Sequence, residues 1–253
     1  MSRNGRLAAM WRIDLMSFGL VALAVFLTSL THGGDGTQPA PTAVSLMEEA
    51  HNGRVVWKDF PGFRAKIRAA ADGKAVEGTV TVSSKGTISL ELPSGEGFAW
   101  VETSLKSLVG HRLSDDGAIT TVAFADDVTS HPLGRLLKST DESDKSLWRV
   151  QGDLLTEVHR FNGKTRFVIS VADVARNAEG KHLPKNFSVT TWDSVTGQIK
   201  TSRQVYNEWA RVGHLDLPAK LLAATSKDDG SRRVEQLELS GHELLSTTAN
   251  AAP

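Results

Sequence analysis

Cysteine is absent from this 253-residue chain. Its absence removes disulfide frameworks, thiol catalysis, lipid attachment through cysteine and every thiolate metal site. Net charge is absent as well, with 29 basic and 29 acidic residues, so no overall field gathers a polyanion around the surface and no nucleic-acid partner is expected. The linear signatures of catalysis are also missing. There is no His-Glu-x-x-His pair, and His242-Glu243, read as a surface pair, has no second histidine one turn on to complete a zinc site. No Gly-x-Ser-x-Gly elbow and no Ser-x-x-Lys pair occur. Gly73 to Thr79 imitates the glycine spacing of a phosphate loop, but Thr79 stands where that loop needs lysine. The eight histidines are scattered without ligand spacing, and Asp115-Asp116, Asp126-Asp127 and Asp228-Asp229 fall in turn-rich stretches where aspartate serves turn geometry. No cofactor, no metal and no motif-borne catalytic residue are expected.

What is present begins with an address. Arg3, Arg6 and Arg12 precede an apolar run from Leu15 to Leu30, followed by small and polar residues. That is the order of an export signal. As a helix the run reaches about 24 Å, short of a hydrocarbon slab of roughly 30 Å. Residues 1–33 are therefore expected to be a cleaved signal peptide that engages the membrane during export, with a membrane anchor as the alternative. Residues 34–43 read as a linker, 44–247 as one α+β domain and 248–253 as a tail, and the expected location is extracytoplasmic, periplasmic or secreted.

The body carries 40% apolar residues chain-wide, enough for a sizeable core. Ser45 and Glu48 have capping-box spacing, and Leu46, Met47 and Ala50 give the helix that follows an apolar stripe. Trp57, Phe60, Pro61, Gly62 and Phe63 then form an aromatic turn read as a plug on the core. Phe63, Ala65, Ile67 and Ala69 alternate with Arg64, Lys66 and Arg68; beyond Asp72-Gly73, Val76, Gly78, Val80 and Val82 alternate with Glu77, Thr79 and Thr81. A two-residue Asp-Gly turn fixes this register, pairing Ala69 with Val76, Ala65 with Val80 and Arg68 with Glu77. Ile88, Leu90 and Leu92 supply a third strand.

Phe98, Val101, Leu105 and Leu108 fall at helical spacing, with Gly110 read as the helix end. Strand-like runs follow at 119–124, 147–150, 154–161, 166–174, 187–193, 198–206, 217–224 and 234–239. The segment Asp126 to Asp144 reads as loop with a short helix near Leu133 to Leu137, and the face taken by Trp192 stays open. About ten short strands and two or three helices result. The expected fold is a strongly curved antiparallel sheet, an unclosed barrel, wrapped around the helices, with oily side chains of successive strands turned inward onto one crossing helix.

The run Asn52-x-Arg54-x-x-Trp57-x-x-Phe60-Pro61-Gly62-Phe63, the Gly78-x-Val80-x-Val82 strand, Leu90-Glu91-Leu92 and Leu217-Pro218 resemble the domain-of-unknown-function family DUF 3386. That family brings no established activity, so no catalytic residue follows from the resemblance. A looser architectural similarity is to periplasmic lipoprotein carriers, whose unclosed sheets wrap around helices. Fold analogy does not establish function. The unclosed alternating meander and the absence of catalytic spacing lead instead to the expectation of a non-enzymatic protein binding an amphiphile or lipid-like ligand in the hollow of the sheet, near Phe98, Trp100, Val101, Leu105 and Trp148. The alternatives are a cell-envelope module binding another protein through a sheet edge or the Asp126 to Asp144 segment, and an exported hydrolase whose polar residues converge only in the fold.

Overall fold

The computed structural model describes residues 40–93, 97–113 and 119–246. The export segment, most of the linker and the tail lie outside the described residues. Within them, no helix is long and apolar enough to cross a membrane.

The first helix, α1 (Ala43–Gly53), starts one turn earlier than the sequence suggested. Thr42 is its N-cap: its Oγ1 accepts from Ser45 N at 3.0 Å, and Ser45 Oγ accepts from Thr42 N at 2.9 Å. The capping box thus uses Ser45 as its third residue and leaves Glu48 exposed. The aromatic turn is the plug it was read to be. Trp57 and Phe60 stack with centroids 4.6 Å apart, and Trp57 Nε1 donates to Asp216 O at 3.0 Å.

Next come β1 (Gly62–Ala71), β2 (Lys74–Ser83) and β3 (Ile88–Glu91), with the expected pairings throughout the first hairpin. Asp72 and Gly73 both take positive φ, 52° and 77°, as a type I′ turn demands. Helix α2 (Ala99–Leu113) then carries the chain to β4 (Val122–Phe124). Gly110 does not end α2. The last turn is held by tertiary bonds: Arg112 Nη1 donates to Val55 O at 3.1 Å, and Arg112 O accepts from Trp57 N at 2.7 Å.

A long meander follows: β5 (Arg135–Ser139), β6 (Leu147–Gln151), β7 (Leu154–Asn162), β8 (Thr165–Arg176), β9 (His182–Asp193), β10 (Ile199–Val212), β11 (Leu215–Lys227) and β12 (Arg232–Leu244). The expected short helix near Leu133 is strand β5. Its adjacent leucines imitate a helical stripe, but β4 and β6 flank it on both sides and Leu137 is sealed. Among the described residues there are twelve strands rather than ten, and five run to twelve or more residues.

All strands join one antiparallel sheet in the order β3-β2-β1-β12-β11-β10-β9-β8-β7-β6-β5-β4. The chain closes β1 onto β12, while α2 links β3 at one rim to β4 at the other. The rims do not pair, so the sheet is an unclosed barrel of the α+β class, as the alternation predicted.

Directly opposed residues of antiparallel strands share a face, so pairing traces the inner surface. One row runs Arg203, Val189, Ile169, Val158, Trp148, Leu137, Phe124, and another runs Ala69, Leu237, Leu221, Asn207. Arg64, Lys66 and Arg68 are exposed, on the opposite face. Trp192 is on that outer face too, with the Arg166 guanidinium 5.1 Å from its ring centroid.

The expectation of one core around one helix is corrected. Buried side chains form two clusters. Val101, Leu105, Leu108 and Val109 of α2 pack with Phe63, Ile67, Val80, Leu237 and the aromatic plug. Leu46, Met47 and Ala50 of α1 pack with Val122, Leu137, Trp148 and Val150. Two helices seat on two wings of one sheet, because no single rod is wide enough to cover twelve strands at about 4.8 Å each.

Candidate functional site

Three apolar residues of β8, Phe167, Ile169 and Val171, belong to neither buried cluster. They alternate inward along the strand, yet each is only half-buried. Register shifts on either side of Asp173 then change the parity of the strand, so Val174 also faces inward, opposite Pro184. With Met47, Trp148, Leu154, Leu155 and Val158 these residues line a hollow of about 570 Å³. That volume is in the ordinary range for small-molecule sites, roughly 300–1,000 Å³.

Arg54, His111, Arg112 and Arg160 stand at the mouth, where burial and then the charges of Arg112 and Arg54 lower the pKa of His111. Asp153 is the one carboxylate among the described lining residues. Asp153 is already matched. Arg176 reaches its two oxygens at 3.1 and 3.3 Å, and His182 Nε2 lies 2.9 Å from Oδ1, which together hold the Asp153 carboxyl down to about 2. His182 is 5% exposed, and neither of its ring nitrogens makes a well-aligned hydrogen bond.

Arg160 and Arg112 are in a different position. The Arg160 guanidinium lies 5.0 Å from the Trp148 ring centroid, and its buried Nη1 has no hydrogen-bond partner. Burial lowers its pKa, with Asp144 opposing. Arg112 is 7% exposed, and its Nε is likewise without a hydrogen bond. Burial, and then the charge of Arg54, lowers it to about 10. A buried donor left unmatched costs about 1–3 kcal/mol, more when charged. Cation–π contact offsets part of this for Arg160.

A second cleft of about 480 Å³ lies beside Trp57. Its polar walls satisfy one another: Arg211 bonds Glu179 and Asp216, Asn177 Nδ2 donates to Asp216 at 2.9 Å, and Lys181 Nζ donates to Asn52 O at 2.6 Å. Among the described residues no group of three or more potential metal ligands converges.

The residues expected from sequence fall in two places. Trp148 lines the hollow. Val101 and Leu105 are sealed in the α2 cluster, with Phe98 and Trp100 half-buried against it. These four seat the helix whose last turn brings His111 and Arg112 to the mouth. Sequence reading missed Arg112, although it continues the Val101, Leu105, Leu108 stripe and so stands at a buried position. It missed Arg160 and His182 for want of any local signal. His242, read as surface, is half-buried with its ring centroid 5.7 Å from that of Phe63, and burial lowers its pKa.

The model of the family described as protein of unknown function (DUF3386) matches residues 38–245, a range that contains the run from Asn52 to Phe63. Among curated proteins none matches the chain. A LolA superfamily protein from Nitrosomonas europaea superposes with a TM-score of 0.32 at 15% identity, over 82% of this chain and 95% of that one. A DUF1329 family protein from Desulfovibrio piger gives a TM-score of 0.25 at 7% identity, over 75% and 89%. At these scores the likeness carries no argument.

Proposed function

The chain belongs to the DUF3386 family of proteins of unknown function, and from the geometry of its hollow we propose that this protein binds an amphiphilic, lipid-like molecule without chemically converting it. One observation carries the reading: Phe167, Ile169 and Val171 present an apolar floor that is packed into neither buried cluster. Half-exposed apolar side chains in a concave site gain about 25 cal/mol for each Å² withdrawn from water. An oily chain laid along β8 supplies that burial. Trp148 forms part of the floor, while Phe98, Trp100, Val101 and Leu105 hold α2 against the neighbouring wing. The arginine-led apolar segment Leu15 to Leu30 supports export, so the ligand is met outside the cytoplasm.

The hydrolase alternative has one favouring observation, the Asp153–His182 contact at 2.9 Å. No serine, threonine or cysteine is among the described residues lining the hollow, so that pair has no side-chain nucleophile to activate.

Native mass spectrometry of protein purified from its own host tests the binding reading. The expected result is a mass excess that solvent extraction removes, after which the emptied protein takes up the neutral fluorescent probe N-phenyl-naphthylamine. Protein that carries no excess mass and takes up no probe overturns the reading.

A further inference from the structure

We infer that the amphiphile has an anionic head, a phosphate or a carboxylate, and that Arg160 and Arg112 receive it. The inference rests on the binding reading above and adds the chemistry of the head.

Charge balance gives the first argument. Arg112 and Arg160 line the hollow, and Asp153, the one carboxylate among the described lining residues, is engaged by Arg176 and His182. These two guanidinium groups stand over an apolar floor, a place where an electrostatic partner acts through low dielectric rather than through water.

Pairing elsewhere in the molecule gives the second. Arg149, Arg176, Arg203 and Arg211 each reach a carboxylate oxygen within 3.1 Å. Arg112 and Arg160 make no ion pair among the described residues, and each buries a guanidinium nitrogen with no hydrogen-bond partner. A guanidinium fork matches phosphate or carboxylate oxygens in plane. A quaternary ammonium head has no acceptor to offer these donors and would repel them. A bare inorganic anion would leave Ile169 and Val171 facing water.

The mouth is also shaped to keep the two cations where they are. Arg112 is fixed by its bond to Val55 O and by Trp57 N on its own carbonyl. Arg160 is braced by the Trp148 ring. Both side chains are thus ordered before ligand arrives, which lowers the entropic cost of receiving it.

The test is displacement of N-phenyl-naphthylamine from the full chain, emptied by solvent extraction. The competitors are dodecyl phosphate, laurate, dodecyl maltoside, dodecyltrimethylammonium and inorganic phosphate. Dodecyl phosphate and laurate are expected to displace the probe at concentrations about tenfold below dodecyl maltoside, the scale of one charge-assisted hydrogen bond. Dodecyltrimethylammonium is expected to be weaker still. Arg160→Gln should remove most of that preference, read as the ratio of dodecyl phosphate to dodecyl maltoside displacement, and Arg160→Lys should keep part of it. Arg112→Gln is the less informative variant because it also frees the Val55 carbonyl. Equal displacement by all the dodecyl heads, or a preference unaffected by Arg160→Gln, overturns the anionic head and leaves the hollow as an apolar site. No uptake of probe overturns the binding reading itself. Displacement by inorganic phosphate as effective as by dodecyl phosphate overturns the amphiphile in favour of a plain anion.

Discussion

Gly53 lies so close to the carbonyl oxygen of Asp153 that a Cβ placed on it would stand 2.1 Å away. The end of α1 is therefore seated directly on the β6–β7 turn, and the contact holds Asp153 beside His182 at the edge of the hollow. Only a residue without a side chain permits that approach.

The first prediction follows from this contact. Gly53→Ala should destabilise the protein by about 1–3 kcal/mol, the usual cost of forcing extra atoms into a packed site. Gly110 is the control: it is helical, and a Cβ there meets nothing within 4 Å. Gly110→Ala should stabilise by up to about 1 kcal/mol through helix propensity. Urea denaturation of both variants checks the pair.

The two-cluster core predicts equal sensitivity on both wings. Leu105, on the buried side of α2, and Leu137, on the strand packed under α1, are each 0% exposed. Leu105→Ala and Leu137→Ala should each cost about 2–5 kcal/mol, whereas Leu222→Ala, at a residue 38% exposed, should cost under about 1 kcal/mol. A large loss at only one wing would show that the other contributes little to global stability.

How much of this was legible beforehand depends on sequence distance. The β1–β2 hairpin could be read to the residue because Asp72-Gly73 sets the turn locally and the alternation on both sides agrees with it. The open sheet followed from the same alternation repeated down the chain. Strand β5 was not legible, since Leu136 and Leu137 are adjacent and only their neighbours β4 and β6 decide the conformation. The mouth of the hollow was illegible for a stronger reason. Arg112, Arg160 and His182 come from an α-helix and two separate strands, and nothing local to any of them records the meeting.

Acid titration should show two separate windows. The Asp153 carboxyl is lowered to about 2 from 3.8 by Arg176 and then His182. Its contribution is present above about 3.8 and is lost as pH falls towards about 2. Asp153→Asn should therefore be less stable than the native protein at neutral pH and converge with it as that window is crossed. His242 is lowered from 6.5 by burial, opposed by the Pro218 carbonyl. Neutral His242 is the folded form's preference, so its contribution is intact above 6.5 and declines as pH falls below that value. His242→Gln should flatten that part of the stability curve, measured by urea titration at successive pH values.

Filling the hollow should separate binding from folding. Ile169 is half-buried on the floor, opposite Val158 and Val189. Ile169→Trp has open volume to enter, so its stability should stay within about 1.5 kcal/mol of the native protein. Probe uptake should nevertheless fall sharply. Retained uptake by a folded variant would place the ligand elsewhere.

The two rims of the sheet are its shortest strands, β3 with four residues and β4 with three. A foreign strand laid along either would find few free backbone donors and acceptors before the template ran out. A sheet left open to admit a guest in its trough is thus poorly suited to fibril growth at its margins, and the long strands that would propagate such growth all lie inside, each already hydrogen-bonded on both sides.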